Sequence, residues 1–175
     1  MEAVCIQETT PVCSRVHLLH QFAIDGSRTE IVARLAARVM ARVRVRVMDV
    51  QVHTGDWYAT LIAEEALAEV HKLPYQGDPP DKDCYRDVEI TARQGGECKA
   101  LNILLVAILL RLGVRAEVGW ILQTGMPLNH VASKVWINGQ PLWADGSIHG
   151  AKLGESPYEA IERTGAYHVV EGQAA

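Results

Sequence analysis

The spacing of apolar residues changes several times along this chain, and each change marks an element. In residues 1–25 they come in short runs (4–6, 16–19 and 22–24) that read as strand or loop. Ser27-Arg28-Thr29-Glu30 has the S-x-x-E form of a capping box and predicts a helix start. Ile31, Leu35 and Val39 then recur on one face, while Arg34, Arg38 and Arg42 stack on another. From Arg42 the alternation Val43-Arg44-Val45-Arg46-Val47 has the period of a strand, so a switch to strand and a continuing helix both stay open. A clearer amphipathic helix covers about 57–72, with Tyr58, Leu61, Ile62, Leu67 and Val70. Residues 73–83 hold three prolines, a glycine and four charges, a loop of the length functional loops favour.

The second half is more sharply patterned. Residues 98–112 contain no Pro or Gly, are apolar on nearly every face and stop at Gly113, which suits a helix C′ position. They predict a buried, central helix. A strand over 115–122 and a turn at 123–127 follow. Then Asn138-Gly139 sits between two apolar runs, the signature of a two-residue type I′ hairpin. With Ile137 opposite Gln140, Lys134 faces Trp143 and Ala132 faces Asp145. Alternation then puts His130, Ala132, Lys134, Trp136, Trp143 and Asp145 on one face, and Val131, Val135, Ile137, Leu142 and Ala144 on the other, buried face. His130 and Asp145 become diagonal neighbours, roughly 7–8 Å apart at the backbone. Ser156-Pro157-Tyr158-Glu159 combines a capping box with Pro at N1, and Gly165 closes a short helix.

Length and composition narrow the classes. A chain of 175 residues is expected to form one domain, 1–175. A net charge of −4 and a pI near 6.0 argue against a nucleic-acid binder, so the Arg34 to Arg46 row reads as a solvated helix face beside Glu30 and Asp49. No apolar run has membrane-spanning length, and the first residues do not read as a secretory leader, so a cytoplasmic protein without membrane contact is expected. The four cysteines (Cys5, Cys13, Cys84 and Cys98) form no CxxC pair, which leaves free thiols rather than a zinc or redox motif. His17 and His20 stand at i,i+3 but have no partnering cluster, so neither metal nor cofactor is expected. His53, His71, His149 and His168 are isolated and receive no role, and Cys84 reads as a bystander.

Cys98 is the residue that suggests chemistry. It falls in the first turn of the predicted central helix, where unsatisfied N–H groups and the macrodipole favour an anion, so a lowered pKa is expected. Gly95-Gly96 just before it allow close backbone approach, as a substrate carbonyl would need. If that helix packs on the His130 face of the hairpin, the three residues form a Cys–His–Asp group. Cys98 would be the nucleophile, His130 the base and Asp145 the group that orients the imidazole. Trp136 and Trp143 share the face, and both are expected to pack rather than to wall a pocket.

These features together resemble the transglutaminase-like (papain-like) superfamily, in its small bacterial and phage-associated form. The features are the glycine-preceded Cys98, an apolar helix closing in Leu-Arg-Leu-Gly-Val, a strand, His130, and Asp145 past an Asn-Gly turn and a Trp. The likeness covers about 57–148, with 1–56 as a strand/helix extension and 149–175 as a helix and tail. It departs from the family pattern at Val131-Ala132, Lys134 and Gly146. The resemblance implies an α+β fold with a papain-like core, a cysteine-bearing central helix packed on an antiparallel sheet. It implies a cysteine-dependent hydrolase or acyltransferase that acts on a protein or peptide amide, with Tyr75 lining the site. Tyr75 and Gln94 are the candidates for the second oxyanion donor. A scaffold that keeps the fold without catalysis, such as a component of a phage particle, is the alternative.

Overall fold

A computed structural model describes residues 4–5, 12–48, 55–77, 84–122 and 129–165 of the protein. In chain order the elements are β1 (Val4–Cys5), α1 (Val12–Gly26), α2 (Glu30–Met48), α3 (Gly55–Val70), β2 (Cys84–Tyr85), α4 (Val88–Gln94), α5 (Cys98–Arg111), β3 (Ala116–Leu122), β4 (Asn129–Ile137), β5 (Gln140–Ala144) and α6 (Pro157–Thr164). The strands β3, β4 and β5 form an antiparallel sheet in that order, and β1 pairs antiparallel with β2. The chain is thus of mixed α and β structure. Among the described residues, no helix is long and apolar enough to cross a membrane.

The helix that is apolar all round is also the one buried all round. Every residue of α5 from Cys98 to Leu109 is buried. The helices α1 to α4 and the strands β3 and β4 all pack on it, so α5 lies between the helices and the sheet. Gly113, at φ 76°, ends it in the left-handed conformation that glycine adopts without strain. The hairpin takes the register that its turn dictates. Asn138 and Gly139 have φ 56° and 74°, Ile137 lies opposite Gln140, and Lys134 lies opposite Trp143. The Ser156 capping box, Pro157 and the left-handed Gly165 bound α6 as their sequence requires.

The first third is more helical than its sequence pattern suggests. Residues 12–26 form α1 rather than strand or loop, because Val16, Leu19 and Ala23 fall at helical spacing and the last two are fully buried. Helix α2 starts at Glu30, three residues past the expected cap, Ser27. The Thr29 hydroxyl accepts the Val32 N–H (3.4 Å), while the Ser27 hydroxyl turns back to the Ile24 carbonyl (2.6 Å). Helix α2 also runs straight through the alternating segment to Met48. Val39 and Val43 are buried on one side, Val45 is 60% exposed, and Arg42 and Arg46 reach across to α3.

Three arginines of that row, Arg38, Arg42 and Arg46, form an ion-pair ladder to α3, while the row stays largely solvated, as Arg34, Arg38 and Arg46 are each half or more exposed. Arg38 reaches Glu69 (2.9 Å), Arg42 bridges Glu65 (2.7 Å) and Glu69 (2.8 Å), and Arg46 bridges Glu64 (3.2 Å) and Glu65 (3.0 Å). Burial pushes the Glu65 and Glu69 carboxyls up, but their cationic partners outweigh it and hold both below the ordinary glutamate value.

The start of the loop after α3 is ordered against the approach to α5. Tyr75 pairs in parallel with Gly96, with the Gly96 N–H on Pro74 O (3.2 Å) and the Gln76 N–H on Gly96 O (2.9 Å). A Cβ on Gly95, at φ 80°, would lie 2.0 Å from Pro74 O. The close approach that the glycine pair permits is therefore filled by the chain's own carbonyl rather than left for a substrate. The rest of that loop (78–83), the turn at 123–127 and the tail from 166 lie outside the described residues, as do residues 1–3 and 6–11 of the N-terminal segment.

Candidate active site

Cys98 is the first residue of α5, and its sulfur receives the backbone N–H groups of Val131, on β4, and Lys99. It is only 5% exposed. Burial pushes the thiol well above its ordinary pKa. The negative charge of Glu97 adds to this, and the two N–H groups offset only part of it. The expected lowering is thus overturned, because desolvation outweighs the favourable helix terminus. Glu97 and Lys99, on either side of Cys98, form a nearly buried ion pair at 3.1 Å.

Val131 adjoins His130, so the sulfur sits at the level of the imidazole along β4. His130 is 2% exposed, and its Nε2–H donates to Asp145 Oδ2 at 2.5 Å. With the proton on Nε2, the neutral ring carries its lone pair on Nδ1. That atom is buried and has no hydrogen-bond partner among the described residues. Asp145 lies one residue past β5, where the chain bends onto α5 and Gly146 comes against the Leu101 carbonyl. Its other oxygen, Oδ1, accepts from the Ser147 N–H (2.9 Å), the Ser147 hydroxyl (2.6 Å) and Asn102 Nδ2 (3.3 Å). Burial alone would raise this carboxyl. Its interaction with the His130 imidazole and the bonds from Ser147 hold it below the ordinary aspartate value instead.

The helix reaches this group from the side opposite to the one expected. It covers the β4 face that carries Val131, Ser133 and Val135, all fully buried, and Ser133 bonds to Asn102 of α5. The hairpin register alone therefore does not join Cys98 to His130. Both lie near the start of β4, where the helix N-terminus, the Val131 N–H and the bend after β5 converge, and among the described residues the sulfur and His130 Nδ1 share no hydrogen bond. Trp136 and Trp143 are half-buried on the far face, where Arg115 lies 4.5 Å from the first ring and Lys134 4.9 Å from the second.

Tyr75 is half-buried against the core, two residues from Cys98 by way of its pairing with Gly96. Gln94 is exposed at the end of α4.

Three residues that the sequence reading did not single out support the group. Asn102 is fully buried one turn beyond Cys98, and its Nδ2 also donates to the Cys98 carbonyl (3.0 Å) and the Val131 carbonyl (2.8 Å). It is the lone uncharged polar residue in an otherwise apolar helix, at i+4 from the cysteine, which is a legible signal. Ser147 makes the local turn that an Asp-Gly-Ser segment favours. His71, at the end of α3, donates from Nε2 to the Asp145 carbonyl (2.9 Å), and its ring lies 5.9 Å from that of His149. Burial and the His149 charge lower its pKa. No local pattern foretells a contact made 74 residues away. Among the described residues, no group of three or more His, Cys, Asp or Glu could hold a metal ion.

Neither a protein-family model nor a curated protein matches the chain.

Proposed function

We propose that the protein is a cysteine-dependent amide hydrolase or acyltransferase with a transglutaminase-like core, acting through Cys98, His130 and Asp145. The observation that carries this reading is His130. Its Nε2 is committed to a buried carboxylate, its buried Nδ1 lacks a hydrogen-bond partner among the described residues, and the next residue's N–H lies on the Cys98 sulfur. Cys98 rests as a neutral thiol. As Sγ attacks the amide carbonyl, its proton passes to His130 Nδ1, and Asp145 stabilises the imidazolium that forms. Collapse of the tetrahedral intermediate breaks the C–N bond, the leaving amine takes the proton from Nδ1, and a thioester remains on Cys98. Water or an amine then resolves it. Tyr75 and Gln94 remain the proposed second oxyanion donors, and Tyr75 has the better position.

The test is acylation by an activated ester such as p-nitrophenyl acetate, read by mass spectrometry of the Cys98 peptide. Cys98→Ser and His130→Ala should each slow it by about a thousandfold or more. A second reading rests on the same burial. With Cys98, His130 and Asp145 all at 5% exposure or less, a scaffold that retains the fold is the alternative. Acylation of wild-type Cys98 no faster than in His130→Ala would favour the scaffold.

A further inference from the structure

We infer that Asn102 is a positioning residue that ties all three members of the proposed catalytic group into one arrangement. This rests on the reading of Cys98, His130 and Asp145 given above. A fully buried carboxamide in an apolar helix is costly unless it is bonded, and this one is bonded on every side. Nδ2 meets the Cys98 carbonyl, the Val131 carbonyl and Asp145 Oδ1, while Oδ1 accepts from the Ser133 hydroxyl (2.9 Å) and the Gly146 N–H (3.0 Å). The orientation of the amide is fixed by partners that have no choice. A backbone carbonyl such as Val131 O only accepts, and a backbone N–H such as that of Gly146 only donates. Two hydrogens serve three acceptors, so the longest contact, to Asp145, is one arm of a shared bond.

One side chain therefore touches the nucleophile's own carbonyl, the residue beside the base, and both the carboxylate and the following N–H of the orienting acid. Its consequence for chemistry lies in how it divides the Asp145 carboxylate. Asn102 and Ser147 occupy Oδ1, which leaves Oδ2 free to face His130 Nε2 and holds the carboxylate in the orientation that accepts from it. Simple packing would be served as well by a leucine. Asn102→Asp is isosteric, but it puts an oxygen against three acceptors.

The experiment compares pH profiles of Cys98 alkylation by iodoacetamide, alongside thermal unfolding, for the wild type and for His130→Ala, Asn102→Ala, Asn102→Asp and Ser133→Ala. A difference between wild type and His130→Ala establishes the couple on which the inference depends, and identical profiles end both the reading and the inference. Given the couple, Asn102→Ala should react on the order of ten- to a hundredfold more slowly near neutral pH and follow the His130→Ala profile. Asn102→Asp should be worse still. Where an Asn102 variant does not fold, Ser133→Ala, which removes a single donor to the amide, should slow the reaction severalfold with its melting transition retained. A folded Asn102→Ala with the wild-type profile and rate, or an unchanged Ser133→Ala where Asn102→Ala is unfolded, overturns the inference. A lowered melting temperature alone would leave Asn102 with a packing role and overturn it equally.

Discussion

Glycine at position 95 is required by sterics rather than by chemistry. Its φ of 80° is costly for any L side chain, and a Cβ there would meet Pro74 O at 2.0 Å. Gly113 has a similar φ of 76° but nothing within 4 Å of its would-be Cβ. Gly95→Ala should therefore destabilise the protein by about 2–4 kcal/mol, strain and clash together, against about 1–2 kcal/mol for Gly113→Ala. Urea unfolding measures both, and equal losses would mean that the Pro74 contact places no demand on residue 95. The pair shows what was legible at this scale. The sequence marked both glycines as special, and a helix-ending Gly113 follows from local rules alone. What approaches Gly95 depends on the fold, so the sequence left a substrate carbonyl as good a guess as Pro74. Cys98 repeats the lesson: a helix N-terminus is visible in sequence, but the burial that reverses its effect on the thiol is not.

Elements whose pattern is settled by short-range rules came out as their sequences imply. The Asn-Gly hairpin, the all-apolar helix and the capped α6 are of this kind, and the hairpin register brings His130 within reach of Asp145. The first two helices were less legible, because a helix whose arginines pair with another helix has the same alternation as a strand. Val43-Arg44-Val45-Arg46-Val47 is helical because Arg42 and Arg46 find Glu64, Glu65 and Glu69 across the α2–α3 interface. Glu65 and Glu69 have side chains only 11% and 6% exposed, so removing a shared cation leaves buried charge without its main partner. Arg42→Ala should cost about 2–3 kcal/mol of unfolding free energy. Arg34→Ala removes an exposed i,i+4 pair with Glu30 at 3.6 Å and should cost less than about 0.5 kcal/mol. Thermal or urea denaturation separates the two. A loss at Arg42 no larger than that at Arg34 would show that the ladder adds nothing to the packing of α2 on α3.

The molecule as a whole places titratable groups on both sides of neutrality, and their signs set its stability profile. His71 is held neutral by burial, below its unfolded pKa of about 6.5. Its contribution is whole above that value and is lost as pH falls through the folded pKa, because the unfolded chain binds the proton first. Asp145, Glu65 and Glu69 are likewise depressed, so their contributions hold above about 4 and fade under stronger acid. Cys98 has the opposite sign. Its folded pKa is raised, so its contribution is whole below the unfolded thiol value of about 8.5 and is lost as pH rises toward the folded one. Stability should therefore plateau between about pH 6.5 and 8.5, with His71 starting the acid decline and Cys98 the alkaline one. Measured as unfolding midpoints in urea from pH 4 to 10, Cys98→Ala should flatten the alkaline limb and leave the acid limb in place. His71→Phe should delay the onset of the acid limb and leave the alkaline limb in place. The Cys98 result bears on the site whatever reaction it performs. A thiol that ionises freely in the folded chain would give Cys98→Ala and wild type the same alkaline limb, and the neutral resting state of Cys98 would then be wrong.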